Sequence, residues 1–87
     1  MRDEMPADVR SSLGQLLAEA RKAATDGDAE TATSLLASAH TVATNKLPDG
    51  HRRDRLRHGC QAAEQALPDE QLVAAYISAM ERRLPDE

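Results

Sequence analysis

The sequence predicts an all-α fold: four short antiparallel helices forming two helical hairpins, a small bundle. Three observations carry this. Alanine and leucine dominate the apolar residues, with one tyrosine and no Phe or Trp. Those residues recur with the period of a helix instead of alternating as in a strand. The periodic blocks are separated by turn signals at Asp26-Gly27-Asp28, Leu47-Pro48-Asp49-Gly50 and Leu67-Pro68-Asp69.

Helix one is expected over 6–26. Pro6 suits a first turn, where its missing N–H costs nothing. Val9, Leu13, Leu16, Leu17, Ala20 and Ala24 make one stripe, and Gly27 is a natural left-handed terminator. Gly14 lies off the centre of the stripe and should cost about 1 kcal/mol relative to alanine. Helix two, over 28–45, starts at once, with Asp28 as N-cap and Glu30 at the positive helix end. Ala32, Leu35, Leu36, Ala39, Val42 and Ala43 are its apolar face. So short a link forces an antiparallel hairpin.

Helix three, over 51–67, carries Leu56, Gly59, Cys60, Ala63, Ala66 and Leu67 on one face. Gly59, among small residues, would let another backbone approach closely. Pro68 stops the helix. Asp69 caps helix four, over 69–84, whose stripe is Leu72, Val73, Tyr76, Ile77, Met80 and Leu84, with Pro85 ending it. The expected core is Leu13, Leu17, Leu35, Leu36, Leu56, Cys60, Ala63, Tyr76 and Met80, enclosed within one chain or at a dimer interface.

Eighty-seven residues make one domain, 1–87. Leu, Ile and Val total 14 of the 87 residues, a thin supply. The net charge of −4 is too modest to favour disorder. A small domain with a thin core usually needs an oligomer, a metal or disulfides, and one cysteine excludes an internal disulfide. Helix four carries the heaviest apolar load. Val73, Tyr76, Ile77 and Met80 are therefore the candidate interface of a homodimer, the commonest closed assembly. Met1 to Pro6 is charged with no apolar run after it, unlike a secretory leader. No window approaches a membrane span. With a single cysteine, this predicts a cytoplasmic protein.

Four constellations bear on function. His40, His51, His58 and Cys60 do not make a metal site. Cys60 lies about 200° round the helix from His58 and sits in the apolar stripe, where a free cysteine acts as a small hydrophobe. No metal and no cofactor are expected.

Arg52, Arg53, Arg55 and Arg57 break a local rule, because cations at a helix amino terminus are unfavourable. Guanidinium forks with free N–H groups could hold a phosphate or carboxylate. The plainer account is pairing of Asp54 with Arg57 or His58, or contact with a partner's acidic surface. At 100° per residue, Arg53 and Arg57 share one side and Arg52 and Arg55 flank another. Nucleic acid is disfavoured, since there are no interleaved aromatics and the chain is acidic.

For catalysis, the chain has no nucleophile elbow, phosphate loop or paired-carboxylate motif, so it is not expected to be an enzyme. Lastly, Gly27-Asp28-Ala29-Glu30-Thr31-Ala32 followed by Leu35, Leu36 and Ala39 resembles the second helix of a tetratricopeptide repeat. The run from Asn45 to Cys60, with its Lys-Leu-Pro-Asp-Gly turn and arginine-rich helix start, resembles a small family of haloarchaeal helical proteins. That resemblance implies an all-helical fold and no known activity. Function by sequence alone stays unknown. The favoured class is a non-enzymatic protein-interaction module, homodimeric or meeting another protein. The alternative is an anion or nucleic-acid binder using the helix-three arginines.

Overall fold

The computed structural model describes residues 5–84 and bears out the fold class. Four helices follow in order: α1 Ala7–Thr25, α2 Ala29–Lys46, α3 His51–Ala66 and α4 Glu70–Arg83. No strand occurs among the described residues. Each helix packs on its neighbours in chain order, and α4 closes the ring on α1. The result is an up-down-up-down square bundle, in which diagonal helices do not pack on one another.

Local chemistry sets the helix ends. After α1, Gly27 takes φ +81°. The Asp28 N–H then reaches the Ala23 carbonyl at 2.8 Å, and the Gly27 N–H reaches Ala24 at 3.1 Å. These two bonds satisfy the last carbonyls of the helix, as a left-handed stop should. The Asp28 carboxylate accepts from the Thr31 N–H at 3.1 Å, and the Asp69 carboxylate accepts from the Leu72 N–H at 3.2 Å. Both expected caps are therefore formed. Pro6 stands one residue outside α1 as its N-cap. Pro85 lies outside the described residues.

The core runs down the middle of the ring. Leu13, Leu17, Leu36, Leu56, Val73 and Ile77 are its fully enclosed larger side chains, with alanines between them. Alanine at Ala20, Ala32, Ala39, Ala43 and Ala63 lets the axes approach closely, so few large residues fill the space.

Three expectations change. Leu35 is only half-buried, packed at the margin of the core. Tyr76 and Leu72, assigned to the α4 stripe, are 37% and 44% exposed. The reason is rotational. Val73, Ile77 and Met80 point inward, and Leu72 and Tyr76 each precede one of them by a single residue, about 100° round the helix. Gly59 meets a side chain, not a backbone. A Cβ there would lie 2.6 Å from both Cγ and Sδ of Met80.

Candidate functional site

The surface between α3 and α4 is where chemistry-bearing residues collect. From α3, Arg55, Gly59, Ala62 and Ala66 form one wall; from α4, Leu72, Tyr76, Ala79 and Arg83 form the other. The spacings are i, i+4, i+7, i+11 on α3 and i, i+4, i+7, i+11 on α4, so each set is one continuous helix face. A hollow of about 260 Å³ lies between Gly59, Tyr76, Ala79 and Met80, rimmed by Asp54, Arg55, His58 and Arg83. Its neighbour, about 350 Å³, is walled by His51, Arg52, Arg55, Arg82 and Arg83. Arg55 and Arg83 line both hollows, and Tyr76 joins the first to a shallow apolar stretch at Ala62, Ala66 and Leu72. The three form one furrow, apolar at the α3–α4 turn and basic at the far end.

Topology creates the basic end. An antiparallel hairpin puts the start of α3 beside the end of α4. Arg52 and Arg55 thereby meet Arg82 and Arg83, which sit at the α4 carboxyl end where cations are favoured. The arginines of α3 are divided. Arg52 and Arg55 join the furrow, whereas Arg53 turns back to the α2–α3 turn, its Nη2 2.6 Å from Asp49 Oδ1. Arg57, one turn beyond Arg53, is half-buried. Asp49, and not a residue within α3, supplies the carboxylate for this pair.

The candidate interface is divided too. Val73, Ile77 and Met80 are buried inside the single chain, at 0%, 0% and 2% exposure. Of the residues named from sequence, Tyr76 is the one on the surface. Leu72 and Ala79 flank it there, together with Arg83, and sequence reasoning missed all three in this role. The available signal was the spacing 72, 76, 79, 83, a helical face of its own beside the core stripe.

Cys60 faces the core and donates to the Met80 thioether at 3.9 Å. Burial, with Glu64 adding to it, pushes its thiol up to about 12. Such a thiol is a packing group and not a nucleophile. Among the described residues, no three His, Cys, Asp or Glu side chains come together as a metal site. No helix among them is long and apolar enough to cross a membrane.

A family model described as a domain of unknown function (DUF8101) matches residues 1–86. The chain belongs to this family. The match runs through all four helices, so the furrow lies wholly inside the family's own unit. Neither a curated protein nor a solved structure matches the chain.

Proposed function

We propose that this chain is a non-enzymatic protein-interaction module that works as a homodimer through its α3–α4 face. One observation carries the reading. The two exposed large apolar side chains, Leu72 and Tyr76, stand side by side on the wall of the furrow. An aromatic beside an aliphatic residue, with arginines at the rim, is the composition of an interface centre. The thin core points the same way, since association would cover apolar surface that the monomer leaves wet. The hollows are open to solvent, which suits surface contact better than an enclosed reaction. A buried, unreactive thiol fits the reducing cytoplasm. The likeness of residues 27–39 to a tetratricopeptide helix belongs to the same class of reading, as does the likeness of residues 45–60 to haloarchaeal helical proteins.

Sedimentation equilibrium tests this directly. At tens of micromolar, the expected mass is twice the 9.4 kDa of the chain. Tyr76→Glu should return it to the monomer mass while leaving the helical spectrum unchanged, because Tyr76 is outside the core. A wild-type monomer at that concentration overturns the homodimer.

A second reading rests on the convergence of His51, Arg52, Arg55, Arg82 and Arg83, which would suit a polyanion. Binding of labelled duplex DNA or RNA that weakens steeply with salt would support it, because each neutralised phosphate releases counterions. No binding at low salt would remove it.

A further inference from the structure

We propose that two copies of the chain pack α4 against α4 in antiparallel register with Tyr76 on the twofold axis, so that Leu72 of each copy enters the other's α3–α4 hollow and Asp69 of each meets the partner's Arg83. This rests on the homodimer reading and specifies its geometry.

The register is written in α4 and its N-cap. Asp69, Leu72, Tyr76, Ala79 and Arg83 follow one another at intervals of three, four, three and four residues. That is the seven-residue pattern that keeps one helix face turned to another helix. The face is centred on Tyr76, seven residues from Asp69 and seven from Arg83. Reversing one copy about Tyr76 sets Asp69 opposite Arg83 at both ends of the seam. It also sets Leu72 level with residue 80, where Gly59, Ala79 and Met80 line the 260 Å³ hollow. Leu72 is 44% exposed at the edge of the shallow stretch it shares with Ala62, Ala66 and Tyr76. The same surface thus supplies both the projecting side chain and the recess, as a twofold contact requires.

Charge chooses between the two directions. The α4 amino end carries Asp69 and Glu70, and its carboxyl end carries Arg82 and Arg83. A parallel pairing would stack arginine on arginine, whereas the antiparallel one opposes unlike charges and unlike helix ends. Asp69 can serve twice. Oδ1 accepts the Leu72 N–H at 3.2 Å, which leaves Oδ2 for the partner's guanidinium. An unrelated partner would need no such symmetry about one residue.

Disulfide trapping in the full chain reads the register. Cys60 can stay, because it is buried and its thiol is unreactive. In the proposed dimer, residue 72 lies about 1.5 Å along the axis from the partner's residue 79, whereas 72 with 72 and 79 with 79 are about 12 and 9 Å apart. Under mild oxidation, Tyr76→Cys alone should form a covalent dimer. Leu72→Cys mixed with a mass-tagged Ala79→Cys should give the mixed dimer as the main product, with little of either self-linked form. Self-linked 72 or 79 as the main product would overturn the register, with sedimentation of the unsubstituted chain still giving a dimer. A monomer in sedimentation with no trapping above the level of random collision would overturn the homodimer and the register with it.

Discussion

The two hairpins are alike in length and connection but differ in what they leave outside. In α1–α2, the large apolar residues are buried or half-buried, with Leu16 and Val42 at the margin of the core and a hollow of about 360 Å³ between them. In α3–α4, Leu72 and Tyr76 are partly exposed, and the furrow beside them ends in arginines. The glycines mark the same contrast. A Cβ on Gly14 of α1 would meet Leu84 Cδ1 at an ordinary 3.7 Å, whereas one on Gly59 of α3 would collide with Met80 at 2.6 Å. The first hairpin has room at its glycine and keeps its large apolar side chains at least half covered; the second is tightly fitted at its glycine and leaves two of its own exposed. A helix pair of this kind can hold a shape while offering a face.

The largest effect expected from this contrast is chemical. Cys60 belongs to the tight interior of the second hairpin, its thiol raised from 9.0 to about 12. A thiol held this far above its ordinary value is almost wholly protonated at neutral pH, and the thiolate is the form that reacts. Alkylation of native protein should therefore run far below that of the denatured chain. The raised value also carries a sign. The folded state holds this proton more tightly than the unfolded one. The contribution is therefore complete below pH 9.0 and is lost as pH rises toward 12. Rapid alkylation at pH 8 without unfolding would break the picture of a closed interior.

Leucine truncations compare inside with outside. Leu36 is fully enclosed, so Leu36→Ala should cost about 2–5 kcal/mol in a urea melt. Leu72→Ala, measured at concentrations where the chain is monomeric, should cost less than about 1 kcal/mol, because the side chain is already partly in water. Equal losses would mean that Leu72 is a core residue.

The glycines should respond with opposite signs. Gly14→Ala should stabilise by about 0.5–1 kcal/mol, since the helix gains propensity and the methyl has room. At Gly59, the same gain is opposed by overpacking of about 1–3 kcal/mol against Met80. Met80 is itself wedged against Cys60, so a net loss of about 1 kcal/mol is expected. Stabilisation at both positions in a thermal melt would erase the contrast.

The smallest effect concerns the turn of the first hairpin. The Thr31 hydroxyl and backbone N–H hold the Asp28 carboxyl below its ordinary 3.8. Stability from this cap is present above that pH and declines as pH falls below it. Asp28→Asn keeps a cap but removes the titration, so acid melts of the two proteins should converge as pH drops. A carboxyl resonance for Asp28 titrating at or above 3.8 would contradict the cap.

Helix number, helix ends and turn chemistry were legible in the sequence because they depend on near neighbours. Gly27, Asp28 and Asp69 act on backbone groups within a few residues, and Pro68 stops α3 because it has no N–H to donate. The centres of the buried faces of α1 and α2 followed from spacing for the same reason, with Leu16, Leu35 and Val42 of the expected stripes left at the margin. Half of the site did not. Arg52 and Arg55 could be singled out as unusual, but nothing local says that Arg82 and Arg83 stand beside them. That follows only once α3 and α4 are antiparallel neighbours. The α4 face was the hardest case. Six large apolar residues cover a wide arc, and any of them could have turned inward.

By itself, the sequence determined four capped helices in two hairpins, because capping, propensity and i, i+4 spacing operate within a turn or two. Tertiary structure alone decided the rotation of α4, which encloses Val73, Ile77 and Met80 and leaves Leu72 and Tyr76 outside. The physical reason is that α4 lies between α3 and α1 in a square ring. Two neighbouring axes can cover only part of a helix's circumference. The covered part includes Met80, which fits against Gly59 and Cys60, residues twenty-one and twenty positions before it in the chain.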